Sequence, residues 1–176
     1  FASQNGYVET LFGRRLYLKD INALPALIHA THDPDPKVRR SALGAIAFCG
    51  EDLVVDALLE GLGDDEWSVR EIAAETLGRV GAVSAATSLM GAMEDNFWQV
   101  RVKAARSLGQ FKSVSAVSAL APSLQHNISN LRKEAAAALG EIAHPDGLPY
   151  LKSVEDDPDP DVRKNIRWAI GQIQTA

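Results

Sequence analysis

Few side chains in the sequence could perform covalent or metal chemistry, and they are scattered. Cys49 is the only cysteine, so it could act as a nucleophile or as an attachment thiol. His29 and His32 could share a helix face with Asp33, but a metal site needs a third and a fourth ligand. Adjacent carboxylates such as Asp64 and Asp65 fall in predicted turns, where helix capping accounts for them. The sequence therefore predicts no catalytic residue, no metal site and no cofactor.

Composition and charge favour a helical protein with a protein partner. Hydrophobic residues make up 46% of the chain, but aromatic residues only 6%, and strands prefer aromatic and β-branched residues. The net charge is −5, and nucleic-acid affinity comes largely from clustered Lys and Arg, so we do not expect a nucleic-acid partner. No apolar run approaches membrane-spanning length. A single cysteine suits a reducing compartment, which predicts a cytoplasmic location.

An interval of 31 residues organises most of the chain. An apolar residue followed by Arg returns at this interval without insertion or deletion, as Val38-Arg39, Val69-Arg70, Val100-Arg101, Leu131-Arg132 and Val162-Arg163. A column of leucines keeps the same register, at Leu27, Leu58, Leu89, Leu120 and Leu151. The position of Cys49 is filled in later repeats by Val80, Phe111, Ile142 and Ile173, which favours core packing for this thiol. Residues 23–176 therefore divide into five consecutive repeats.

Each repeat is predicted to form two helices. The second helix carries an apolar stripe, as at Val69, Ala73, Leu77 and Val80. The break before it is rich in Asp, Pro and Asn, which suits capping of its first N–H groups. Glycines near its end indicate close backbone approach, at Gly78, Gly109, Gly140 and Gly171. The sequence predicts an all-α fold, an α-solenoid of five 31-residue two-helix repeats after a short non-repeat N-terminal segment.

Segments such as DDEWSVREIAAETLGRVGA, residues 64–82, resemble HEAT-like repeats of the short class found in phycobilisome lyases. The resemblance implies a binding scaffold, since few members of this family are enzymes. It also implies a ladder of hydrogen bonds that links successive repeats through Asp and Arg. The residues assigned to this ladder are Asp33, Arg39, Asp64, Arg70, Asp95, Arg101, Arg132, Asp157 and Arg163. His126 replaces the Asp of the fourth repeat, so we expect an interruption before Arg132.

The opening segment, FASQNGYVETLFGRRLYLKDIN, residues 1–22, does not share the period. It resembles a fragment of bacterial family A DNA polymerases (DNA polymerase I), which carry a GYVET-x-x-GRR-x-YLP-[DE]-I run. Lys19 stands where Pro is usual, and the polymerase carboxylates and nucleotide-binding helix have no counterpart. We therefore expect a separate segment that is either a passenger or an end cap of the first repeat. A residual nucleic-acid contact through Arg14, Arg15 and Lys19 is the third alternative.

Two columns on the second helices vary in chemical type while the core columns do not. One column holds Gly44, Glu75, Arg106, Ala137 and Trp168, and its neighbour holds Phe48, Arg79, Gln110, Glu141 and Gln172. Trp67 and Trp98 share one repeat position, so they could form an aromatic ridge or each pack over its own turn. Such variation suits a tailored binding face, although an ordinary solvated face would also vary. The candidate partner-binding residues are Phe48, Trp67, Glu75, Arg79, Trp98, Arg106, Gln110, Glu141 and Trp168.

The predicted function is a non-catalytic scaffold that binds a protein or peptide on the concave face of the second helices. A chromophore-handling subunit of the phycobilin lyase type is the first alternative, and a HEAT-like DNA-lesion binder is the second. The sequence leaves the identity of the partner and the oligomeric state open.

Overall fold

A computed structural model describes residues 24–48 and 54–176 of the chain. Within those ranges the fold consists of α-helices and short 3-10 helices and contains no strand. The predicted all-α class is confirmed. The opening segment, the predicted boundary after residue 22 and Cys49 lie outside the described residues. Packing contacts divide the chain into an N-terminal half, which ends at Ala82, and a C-terminal half, which begins at Val83.

The helices follow the 31-residue period, two to a repeat. The first helices of the five repeats are α1 Leu24–Ala30, α3 Val55–Gly61, α5 Ala86–Ala92, α7 Val117–Leu120 and α9 Leu148–Lys152. The second helices are α2 Pro36–Ala45, α4 Trp67–Val80, α6 Trp98–Gln110, α8 Ser129–Ile142 and α10 Pro160–Thr175. Short 3-10 helices connect them at Ile46–Phe48, Val83–Ala85, Val114–Ala116, Ala121–Gln125 and Pro145–Gly147.

Acidic side chains cap the N-termini of three of the second helices. The Asp35 carboxylate accepts the N–H of Lys37 at the start of α2, and Pro36 takes the first helical position, where no N–H is needed. Asp159 caps α10 in the same way, with Pro160 after it. In α4 the longer Glu66 side chain accepts the N–H of Ser68. The predicted role of the acidic break is therefore seen at these three helices.

The core is built from the repeated apolar columns. All five leucines of the first-helix column are buried. On α4 the predicted stripe is buried at Val69, Ala73 and Leu77, and it ends at the half-buried Val80. In the N-terminal half α2 packs on α4, and in the C-terminal half α8 packs between α6 and α10. Among the described helices none is both long and apolar enough to cross a membrane.

The fourth repeat departs from a simple pair of helices. Its first helix, α7, is only four residues long and continues as the 3-10 helix Ala121–Gln125. Pro122 explains the change, because it has no N–H to donate to the carbonyl of Ser118. The turn after the second helix also varies, since its left-handed residue is Gly81 after α4 but Lys112 and Ala143 in the next two repeats.

Candidate functional site

Arginines of the repeat motif connect neighbouring repeats through the carboxylate of the next repeat. Arg39 donates from Nε and Nη2 to the two carboxylate oxygens of Asp64, over 2.7 and 2.8 Å. Arg132 makes the same forked contact with Asp157, over 2.6 and 2.9 Å. In both pairs the side-chain hydrogen bond from Arg is the main cause that lowers the pKa of the Asp carboxyl, and burial opposes it. These two contacts link repeats 1 and 2, and repeats 4 and 5.

Within a repeat the arginine contacts the main chain of its Asp rather than the carboxylate. Arg39 Nη1 donates to the carbonyl oxygen of Asp33 over 2.8 Å, and Arg70 and Arg163 donate in the same way to Asp64 and Asp157. The carboxylate is instead held by its own loop, as Asp157 Oδ1 accepts the N–H of Asp159 over 2.8 Å. Asp64 and Asp157 therefore each face the arginine of the preceding repeat.

His126 changes one rung of this arrangement. Its Nδ1 accepts the N–H of Ile128 over 3.1 Å, which takes over the loop-holding role of the Asp carboxylate. Arg101, one repeat earlier, donates to the carbonyl of Asp95, and no carboxylate of the described residues lies within ion-pair distance of it. Arg132 keeps both its carboxylate partner and the carbonyl of His126. The interruption of the ladder therefore falls at Arg101 and not at Arg132.

Second helices of the C-terminal half present four of the candidate partner-binding residues at the surface, namely Arg106, Gln110, Glu141 and Trp168. A groove of about 230 Å³ between α6 and α8 has Ala137 and Ala138 in its lining. Three of these four candidates, all but Trp168, line the same groove. Arg106 forms a forked contact with Glu134, with both bonds at 2.8 Å. Sequence analysis missed Glu134, because its partner Arg106 lies 28 residues earlier, in the preceding repeat.

Trp168 lies on α10 against the backbone of α8. Its ring occupies the space that a Cβ on Gly140 would fill, and the Cα of Ala169 lies 2.9 Å from that position. Trp168 is still 41% exposed. Gly109 meets Ala138 with a similar closeness, at 2.9 Å from the built Cβ to the Ala138 Cα. The predicted close approach at the glycine column is present at both positions, and it fixes the spacing of α6, α8 and α10.

The other candidates are more enclosed or lie elsewhere. In the N-terminal half Arg79 is exposed and donates to the carbonyl of Gly44 over 2.8 Å, while Glu75 is half-buried. Trp67 and Trp98 are half-buried first residues of α4 and α6. These tryptophans belong to different halves, so their predicted ridge stays a prediction. The side chain of Phe48 lies outside the described residues.

The histidines that could have formed a metal site do not converge with carboxylates into one. His32 Nε2 lies 3.0 Å from a carboxylate oxygen of Glu60 in the next repeat, and Nδ1 lies 3.1 Å from the carbonyl of Ile28. No group of three His, Cys, Asp or Glu side chains suited to a metal ion occurs in residues 24–48 and 54–176. The described surface thus offers grooves and charge pairs rather than a set of ligands.

Comparison with known proteins agrees with this geometry. The family described as HEAT repeats matches residues 24–97 and 88–171. No curated protein matches the chain. An engineered protein is similar in structure, with a TM-score of 0.72, 21% identity, and coverage of 92% of this chain and 84% of that one.

Two other similar structures are complexes. The CpcE–CpcF complex of phycocyanin lyase from Nostoc sp. PCC7120 has a TM-score of 0.68 and 24% identity, over 85% of this chain and 99% of that one. A designed armadillo repeat protein in complex with the peptide (KR)4 has a TM-score of 0.72 and 17% identity, over 90% of this chain and 86% of that one. At these identities the similarity concerns the fold alone.

Proposed function

The chain belongs to the HEAT-repeat family, and from that premise we propose that it is a non-catalytic scaffold that binds a protein or peptide on its second-helix face. The observation that carries the proposal is the exposed Trp168 on the same face as the groove lined by Arg106, Gln110 and Glu141. Large aromatic side chains and arginines are frequent anchors in protein interfaces.

The rigidity of the second-helix face supports this proposal. Close contacts at Gly109 and Gly140 leave little space for α6, α8 and α10 to move past one another. A preformed surface loses little ordering entropy when a partner binds, so more of the contact free energy appears as affinity. The groove of about 230 Å³ suits one or two side chains of a polypeptide better than a large cofactor.

A displayed library of random peptides, selected on the immobilised full chain, tests the proposal. Selected peptides are then measured by calorimetry against Trp168→Ala and, as a matched control, Phe97→Ala. Phe97 is 41% exposed, as is Trp168, but it lies just before α6 and does not line the groove. We expect Trp168→Ala to weaken binding about tenfold or more and Phe97→Ala to leave it within about twofold. If the selected peptides bind Trp168→Ala with unchanged affinity, the assignment of the binding site to the second-helix face is wrong.

A lyase-type function is the second candidate, and the similarity to the CpcE–CpcF complex favours it. That similarity covers 99% of the other chain, so the whole of that fold has a counterpart here. Mixing the purified chain with a free bilin and recording the visible spectrum separates the two functions. A chromophore-handling subunit would shift the absorption band, whereas the scaffold leaves it unchanged.

We further propose that residues 1–22 are a separate segment, a passenger derived from a polymerase fragment, and take no part in binding. Deletion of residues 1–20 should preserve the helical circular dichroism and the affinity for selected peptides. A loss of helical signal would instead identify the segment as an end cap of the first repeat.

A further inference from the structure

The C-terminal half carries a second groove, between the first helices of repeats 4 and 5. Its volume is about 560 Å³, and it opens to solvent. Seven residues line it, from the 3-10 helix Val114–Ala116 and α7 on one side and from Pro145–Gly147 and α9 on the other. They are Val114, Ser115, Val117, Ser118, Asp146, Pro149 and Tyr150. None of them belongs to the second-helix face, so this groove is independent of the proposed function.

The lining of the groove combines apolar side chains with one carboxylate. Val114 is 49% exposed and Tyr150 is 40% exposed, so each side of the groove presents an apolar side chain to solvent. Asp146 supplies the only carboxylate among the seven lining residues, which include no Lys, Arg or His. The hydroxyls of Ser115 and Ser118 add acceptors that can serve a donor-rich ligand.

The Asp146 carboxylate lies beside the imidazole of His144. The main-chain N–H of Asp146 donates to Nδ1 of His144 over 3.3 Å, so Nδ1 uses its lone pair as an acceptor. An Nδ1 that accepts cannot also donate to the carboxylate oxygen, which lies 3.5 Å away. The carboxylate is 77% exposed and faces a groove without a cation in its lining.

This combination occurs once among the three repeats of the C-terminal half. Ser84 and Ser115 take the place of Asp146 in repeats 3 and 4, and Ser88 and Ala119 take the place of Tyr150. Among these three repeats, the acid and the aromatic side chain therefore appear together only in repeat 5, where they are four positions apart on the 3-10 helix Pro145–Gly147 and on α9. Packing of the repeat does not require either of them, because both side chains are exposed.

We propose that the groove binds an arginine side chain of a partner protein. The guanidinium lies on the Tyr150 ring and donates to the Asp146 carboxylate, while the serine hydroxyls accept its remaining N–H groups. The aliphatic part of the side chain rests on Val114, Val117 and Pro149. Arginine fits better than lysine, because its planar fork of five donors can stack and reach several acceptors at once.

Titration of the 15N-labelled full chain with three capped tripeptides tests this assignment by NMR. The probes are Ac-Gly-Arg-Gly-NH2, its lysine analogue and its citrulline analogue, which keeps the shape of arginine without the charge. We expect the arginine probe to shift, with saturation, the backbone amides of residues 114–118 and 145–151 other than the prolines Pro145 and Pro149. The lysine probe should bind more weakly, and the citrulline probe should give no saturable shift.

Charge-matched variants give the decisive comparison. Asp146→Asn should weaken the arginine probe about two- to fivefold, the range expected of an exposed ion pair. Asp156→Asn makes the same substitution at an exposed residue that lines neither groove, and it should leave the affinity unchanged. Equal weakening by both variants, equal binding of the citrulline probe, or shifts outside residues 114–118 and 145–151 would overturn the assignment.

Two further measurements cover the cases in which Asp146→Asn fails to fold or a second copy of the chain occupies the groove. If Asp146→Asn loses its folded spectrum, Ser118→Ala replaces it as the groove variant, and an unchanged affinity there would count against the proposal. Shifts of the groove amides that depend on protein concentration without any probe would show that a second copy covers the groove. That result would also overturn the assignment to arginine. Neither outcome bears on the second-helix face, so the two proposals fail separately.

Discussion

Gly140→Ala should destabilise the protein although alanine is the better helix former. Gly140 lies inside α8, where replacement by Ala alone would gain about 1 kcal/mol from helix propensity. The new Cβ, however, would stand 2.9 Å from both the Cα and the Cβ of Ala169 and would overlap the ring of Trp168. The tryptophan ring can rotate away, but the backbone of α10 cannot move without separating the two helices.

The free energy of unfolding should therefore fall by about 1 kcal/mol, and by no more than about 2. Overpacking of a tight contact costs about 1–3 kcal/mol, and the propensity gain offsets part of that cost. For a chain of this size, a loss of 1 kcal/mol corresponds to a decrease of about 2–4 °C in Tm. Urea unfolding followed by circular dichroism measures the change, provided that the slope with denaturant concentration stays constant.

Gly171→Ala is the matched control, because Gly171 holds the same repeat position on α10 and has no atom within 4 Å of a built Cβ. Only the higher helix propensity of alanine applies at this position, so the free energy of unfolding should rise by up to about 1 kcal/mol. The two substitutions are chemically identical and are expected to have opposite signs. If both variants stabilise the protein, the close approach of α8 and α10 is not what requires glycine at position 140.

Three further predictions concern buried polar groups. Asp157→Asn should cost about 3 kcal/mol because it leaves Arg132 without its charged partner, whereas the exposed neighbour Asp156→Asn should change the urea midpoint little. The Arg132 hydrogen bond lowers the pKa of folded Asp157, so its stabilisation is present at neutral pH and is lost as the pH falls below about 4. Unfolding free energies measured from about pH 6 to pH 2 should therefore decline more steeply for the natural protein than for Asp157→Asn. Thr76→Val should stabilise by about 1 kcal/mol, because the buried Thr76 hydroxyl has no partner among the described residues. Thr31→Val should show no such gain in thermal unfolding, since Thr31 Oγ1 already donates to a carbonyl oxygen.

The repeat period made the elements and the core predictable from sequence. Each column gives five observations of one structural position, so an apolar column such as that of Leu58 stands out from chance. Helix starts were predictable for a similar reason, because Asp35 and Asp159 occupy the same place before a proline. These features depend on residues within one repeat, and the sequence presents them in order.

Contacts between repeats were harder to predict, because they depend on the offset between one repeat and the next. The column pattern pairs Arg39 with the Asp33 of its own repeat, but Arg39 reaches the carboxylate 25 residues later, on Asp64. The pairs of Arg106 with Glu134 and of His32 with Glu60 both span 28 residues. The sequence of a single repeat does not indicate such a pair. The two residues come together only when neighbouring repeats stack.

Exposed apolar side chains indicate where the surface could bind other molecules, and in the described structure they are concentrated in one half of the chain. The large apolar side chains that are exposed among the described residues all belong to the C-terminal half. They are Val83, Phe97, Val114, Tyr150 and Trp168. Exposed apolar side chains can be buried by a partner, so the positions that carry them are candidates for contact with other molecules. Trp168 and Tyr150 lie on a second and a first helix of the same repeat. Repeat 5 therefore offers one anchor to each of the two proposed interfaces.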